Sequence, residues 1–244
     1  MITCAIAGIL LFGTGVHSQS LGKSTFSSDP VVKYAAANSL RLSAAQSQLI
    51  ADTQRYGQMM MSAPEVINMN QILIRAINAR KVLDVGTFTG FSALSAAEAM
   101  QPGSQVLTMD INNQYYDQVG KPIAQRSGLG NSITQRVQPA VQTMQQLINN
   151  GESGTWDFCY IDADKSNQGT YYDQCLQLLR SGGIIGHFDL GTHALWGGSV
   201  AQPESTLSGS TRMIHELNKR IHQDQRVHVS LLPIADGYTI VLKK

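Results

Sequence analysis

The sequence predicts an α/β fold built on a doubly wound, mostly parallel sheet. Three observations predict it. From Lys81 onward, short apolar runs alternate with helical stretches. The runs are continuously apolar instead of alternating with polar residues, the pattern of strands covered on both faces. No internal repeat at solenoid or propeller spacing is present, so those architectures are excluded.

The elements follow in order. KVLDV (81–85) is a strand, followed by a helix over 91–100. QVLTMD (105–110) precedes a helix through Tyr115 and Ile123, and SITQRV (132–137) precedes one through Met144 and Leu147. DFCYID (157–162) leads to a helix over 171–179, and GGIIGHF (182–188) closes the alternating series. A loop over 190–209 and a charged helix over 211–222 come next. Two last strands, VHVSLL (227–232) and GYTIVL (237–242), are joined by residues 233–236, and so short a link predicts antiparallel pairing. Ahead of the series, 31–61 reads as helical and rich in Ala and Gln, and 22–30 as a polar linker.

The 244 residues fit one such domain. Eighteen Lys and Arg stand against 17 Asp and Glu, a net charge of +1 that offers no basic field to nucleic acid or anionic lipid. Charged residues make up 14% of the chain. A typical soluble domain carries about 25%. Hydrophobic residues at 43% exclude a disordered chain.

Residues 1–16 carry no charged side chain, and 5–12 (AIAGILLF) form a short apolar core. A membrane-spanning helix needs about 20 apolar residues, so this core is too short to span comfortably. The length suits a secretory signal peptide, with cleavage before Gln19 after Val16-His17-Ser18. An uncleaved membrane anchor is the alternative. The expected organisation is therefore 1–18 as signal or anchor, 19–30 as linker and 31–244 as one domain. Cys159 and Cys175 are too few for a disulfide framework and are expected as buried free thiols.

Ligands of such sheets sit beyond the carboxyl ends of the strands. After the first strand comes Gly86-Thr-Phe-Thr-Gly90, a turn that brings backbone close to a ligand, with Ser92 opening the next helix. The third glycine of a dinucleotide fingerprint is missing. Asp84, two residues earlier, would repel a pyrophosphate but suits a cationic ligand. Asp110 ends the second strand where an acid takes ribose hydroxyls. Together they point to a nucleoside without a pyrophosphate and argue against a nicotinamide dehydrogenase. After the fourth strand, Asp162-Ala163-Asp164-Lys165 offers carboxylates and a base.

These motifs, in this order, resemble the cation-dependent class I O-methyltransferases of the caffeoyl-CoA and catechol type. The resemblance runs from about Asp29 to Lys244 and is carried by VLDVGTFTGFSAL (82–94), DFCYIDADKSN (157–167), LLRSGG (178–183), LWGGSV (195–200) and the ending from His215. It implies a Rossmann-like sheet of seven strands with the last antiparallel, and S-adenosylmethionine as cofactor. By resemblance Asp84 and Gly86 flank the methionine part, Ser92 helps hold it, Asp110 takes the ribose hydroxyls and Ala140 lies near the adenine. Met61 and Ser62 match the segment that closes over the cofactor. Asp162 matches a metal ligand, and Lys165 the lysine that takes the phenolic proton of a small aromatic acceptor. A divalent cation such as Mg²⁺ would lower the acceptor's pKa and fix its geometry. A homodimer is also within the family's range.

The pattern departs after the fifth strand. Phe188 stands where the family's metal-binding Asp belongs, Asp189 takes the next place, and extra residues fall near 191–194. Three arrangements stay open. Asp162 and Asp189 hold the cation; His187 or His193 joins them; or the metal is gone, and Lys165 works alone or methyl transfer is lost. A cofactor-binding protein without turnover is accordingly the alternative function.

Overall fold

The computed structural model describes residues 29–57, 60–188, 200 and 202–244. The signal-like segment, most of the linker, Asp189, His193 and Trp196 lie outside the described residues.

Seven strands form one sheet: β1 (Lys81–Val85), β2 (Gln105–Asp110), β3 (Ile133–Val137), β4 (Trp156–Ile161), β5 (Leu179–Phe188), β6 (Val227–Leu232) and β7 (Tyr238–Lys243). Their order is β3-β2-β1-β4-β5-β7-β6. The first five are parallel, and β7 pairs antiparallel with both β5 and β6. The chain winds outward from β1 through β2 to β3, then restarts at β4 on the other side of β1. That reversal opens a crevice at the carboxyl ends of β1 and β4.

The period-2 geometry of the strands splits their side chains between two cores. Val82, Val106 and Phe158 face the core covered by α2 (Ala44–Thr53), α3 (Pro64–Ala76), α4 (Phe91–Ala99) and α5 (Lys121–Arg126). Leu83, Val85, Cys159 and Ile161 face the core covered by α6 (Ala140–Asn149), α7 (Gln168–Leu178) and α8 (Gly209–Gln223). Nearly every residue of α4 is buried, because its small Ala and Ser side chains let α2 pack on it from outside. Gln46 of α2 donates to Ser95 Oγ at 2.8 Å across that contact. In α8, Ile214, Leu217 and Ile221 recur at helical spacing and supply the buried stripe. Among the described residues no helix is long and apolar enough to cross a membrane.

Three sequence expectations are corrected and one helix is added. The segment 31–61 is not one helix. It divides into α1 (Pro30–Ser39) and α2, because Ser43 and Gln46 form a capping box that restarts the helix, and a 3₁₀ turn, Gln54–Tyr56, follows. Helix α3 has no counterpart in the sequence reading. The helix through Tyr115 and Ile123 contains a π-helical turn, Tyr116–Gly120, before α5. Cys159 and Cys175 are not free thiols but are disulfide-bonded. Strand β4 and helix α7 pack face to face and bring the two Cα atoms to 6.1 Å. That separation lies within the range a disulfide can bridge.

Candidate active site

The carboxyl ends of β1, β2 and β4 carry the residues of interest. Strand pairing continues past their last residues: Gly86 N donates to Met109 O at 2.9 Å and Asp162 N to Val85 O at 2.8 Å. Gly86 has φ +106°, and a Cβ there would lie 2.0 Å from the Asp162 carbonyl oxygen. Only glycine lets the turn after β1 pass so close to the end of β4. The turn then places Phe88 at φ +45°, an uncommon conformation for a bulky side chain. Asp110 holds it there. Its Oδ2 accepts the amides of Thr87 and Phe88 at 3.0 Å each, and its Oδ1 accepts Asn112 N at 3.1 Å.

Above this turn lies a cavity of about 560 Å³. Met61, Gly86, Ser92, Asp110, Ala140, Asp162 and Lys165 all line it, so the fold gathers these sequence candidates from five separate stretches of chain. Ala140 is there as the first residue of α6, and Ser92 as the second of α4. Ser62 also lines the cavity and donates to Asp162 Oδ2 at 2.6 Å. Tyr160 donates to the same oxygen at 3.4 Å.

Asp84 is placed differently. Its side chain is buried beneath the turn and is not part of the cavity wall. Thr108, its registered partner on β2, donates to Asp84 Oδ2 at 2.6 Å, and Thr87 Oγ1 lies 2.6 Å from the same threonine hydroxyl. Burial pushes the Asp84 carboxyl up to about 7. Hydrogen bonds from Thr108 and Ser92 oppose the shift, and the charges of Asp162 and Asp110 add to it.

Another part of the cavity wall is built by the turn after β4. Burial raises the Asp164 carboxyl, but hydrogen bonds from Ser166, Tyr171 and Asn167 outweigh it and hold the group below the usual range. Asp164 therefore shapes the turn that presents Lys165. His187 lies on β5, registered with Ile161 and Thr239, and is buried away from the cavity wall. Burial, then the Lys165 charge, push its imidazole down to about 3.

Among the described residues no three His, Cys, Asp or Glu side chains converge as a metal site. Asp162 faces the cavity held by Ser62, and His187 does not join it there. Asp162 is thus the one expected ligand of a divalent cation that lines the cavity among the described residues, and Asp189 and His193 lie outside them.

Sequence reasoning missed Thr108, Thr87, Phe88 and Tyr115. A threonine in an apolar strand beside the strand carrying Asp84 was a readable signal for the first. Phe88 and Tyr115 carried none.

The O-methyltransferase family model matches residues 37–244. The chain belongs to the S-adenosylmethionine-dependent O-methyltransferase family. The O-methyltransferase is 38% identical over 215 residues to the probable caffeoyl-CoA O-methyltransferase 2 of Dictyostelium discoideum, covering 87% of this chain and 91% of that one. It is 37% identical over 217 residues to the mouse (Mus musculus) catechol O-methyltransferase domain-containing protein 1, covering 88% and 80%. Its fold matches that of the O-methyltransferase TomG from Streptomyces achromogenes, solved in complex with SAM. There the TM-score is 0.75 at 20% identity, over 88% of this chain and 96% of the other. The SAH-bound Podospora anserina methyltransferase PaMTH1 gives 0.74 at 21% identity, over 98% and 100%. In the O-methyltransferase, Phe188 is the last residue of β5, paired with Tyr238.

Proposed function

We propose that this enzyme methylates a hydroxyl of a small, catechol-like aromatic acceptor, and that Lys165 takes the proton. The observation that carries the reading is the common cavity. Asp110 and Ala140 stand on the side formed by β2 and α6, and Asp162 and Lys165 on the side formed by the turn after β4. The volume suits a nucleoside-sized ligand with a small aromatic beside it.

The chain's own residues divide the work. Gly86 brings backbone to the ligand, Ser92 and Ala140 shape the walls, and the remaining lone pair on Asp110 Oδ1 is left to accept a ribose hydroxyl. Asp84, one layer beneath, favours a cation above it. When bound, the cofactor supplies a methyl group already activated by its sulfonium, which leaves as a neutral thioether. The Lys165 amine accepts the acceptor's hydroxyl proton as its oxygen bonds to the methyl carbon. Met61 and Ser62 belong to the segment that closes over the cofactor, and the Ser62–Asp162 hydrogen bond ties that segment to the turn after β4.

The test is methyl transfer from labelled S-adenosylmethionine to catechol by the full chain, with and without chelator. Turnover that survives chelator supports the Lys165 mechanism. Turnover abolished by chelator would overturn it in favour of a cation held with the segment around Asp189. Cofactor binding with no transfer to any vicinal dihydroxy aromatic would overturn the acceptor class.

We also propose entry to the secretory route, on the apolar run 5–12 and the Cys159–Cys175 disulfide, a bond typical of oxidising compartments. Protease protection of the tagged chain in microsomes tests this. Carbonate extraction distinguishes a membrane-anchored form, and light scattering tests a homodimer.

A further inference from the structure

The stretch from the end of α2 to Ser62 touches the cavity walls at three places. Thr53, fully buried, has its Oγ1 2.9 Å from Thr89 Oγ1 in the glycine turn. Ser62 reaches Asp162 at the far side. Between them stands Tyr56. Its hydroxyl donates to Gln118 Oε1 at 2.7 Å. Its ring meets Tyr115 edge-on, with centroids 5.4 Å apart and planes at 67°. Tyr115 in turn tilts against Phe88 at 5.2 Å.

Tyr115 and Phe88 line the cavity, but Tyr56 does not. Tyr115 stands on the same side as Asp110, Ile111 and Asn112, the residues that end β2 and follow it. The inner flank of this wall is locked. The π-helical turn seats Gly120 so closely that a Cβ would lie 2.2 Å from Thr89 O. A Cβ on Gly90 would meet the Tyr116 ring at 2.6 Å. The outer flank of Tyr115 is braced by Tyr56, which is itself tied to Gln118 in the π-helical turn.

We propose that Tyr56 is a positioning residue for the adenosyl half of the cofactor. It acts through Tyr115, whose ring it fixes against Phe88. The inference rests on the functional reading above. An edge-on aromatic pair and one neutral hydrogen bond together correspond to about a tenfold change in affinity, and the hydrogen bond alone to about threefold to fivefold.

The experiment uses the full chain with Tyr56→Ala, Tyr56→Phe and Gln118→Ala. Calorimetry measures binding of S-adenosylhomocysteine and of adenosine, and steady-state kinetics give KM for each substrate. Tyr56→Ala is expected to weaken both ligands by the same factor of about ten and to raise KM for the cofactor, with KM for the acceptor unchanged. Tyr56→Phe and Gln118→Ala are each expected to lose about threefold to fivefold, and the double variant no more than either alone.

Equal affinity in wild type and the Tyr56 variants would overturn the inference, as would a rise confined to KM for the acceptor. Should Tyr56→Ala fail to fold, Tyr56→Phe and Gln118→Ala decide it alone. A wild-type protein that binds neither S-adenosylhomocysteine nor adenosine would instead overturn the functional reading.

Discussion

Oδ2 of Asp110 lies 3.0 Å from the amide nitrogen of Phe88, a bulky residue at positive φ. The carboxylate expected to meet the ribose is thus also the clamp that holds the turn after β1. Asp110→Ala removes both. Hydrogen bonds to a charged acceptor contribute about 1.5–3 kcal/mol, so a Tm drop is expected together with a loss of cofactor affinity of at least about tenfold. Thermal melts with and without S-adenosylhomocysteine check this. An unchanged Tm would show that the turn holds its shape without Asp110.

Asp84 gives the fold a pH dependence of known sign. Its carboxyl is pushed up to about 7 in the folded chain, from an ordinary value of 3.8. The folded state therefore favours the protonated form. This contribution is greatest below about pH 4, declines as pH rises towards about 7 and is flat above it. Asp84→Asn removes the slope, and relative to wild type it gains about 2–4 kcal/mol at pH 8 over its standing at pH 4. The same substitution weakens the cationic S-adenosylmethionine more than neutral S-adenosylhomocysteine. Denaturant melts and calorimetry at pH 4, 6 and 8 test both statements.

Gly86 and Gly151 have similar positive φ, +106° and +81°, but different surroundings. A Cβ at Gly86 would strike the Asp162 carbonyl, whereas at Gly151 nothing lies within 4 Å. Gly86→Ala is expected to cost more than about 3 kcal/mol and to abolish cofactor binding, and Gly151→Ala only about 1–2 kcal/mol. Equal costs would mean that backbone conformation alone, and not the contact between β1 and β4, demands glycine.

Lys165→Met is expected to lower kcat at least about 100-fold while changing the Kd of S-adenosylhomocysteine less than about threefold. A Lys165→Met enzyme with wild-type kcat would remove Lys165 from the reaction.

The alternation of apolar runs and helices determined the sheet, because strands buried on both faces must be apolar throughout. Glycine spacing, Asp110 at a strand end and the Asp162–Lys165 stretch pointed to the strand ends that line the cavity, because turn geometry is a local property. Tertiary structure decided the rest. Asp84 lies beneath the cavity and not in its wall, because its neighbour on β2 is Thr108. Asp162 is held by Ser62, a hundred residues away in the chain. Cys159 meets Cys175 because α7 folds back over β4. Tyr56, Tyr115 and Phe88 form one aromatic brace from three segments. A sequence records which side chains are available. Which of them meet across the sheet depends on strand register and helix packing, and those are set by the whole core at once.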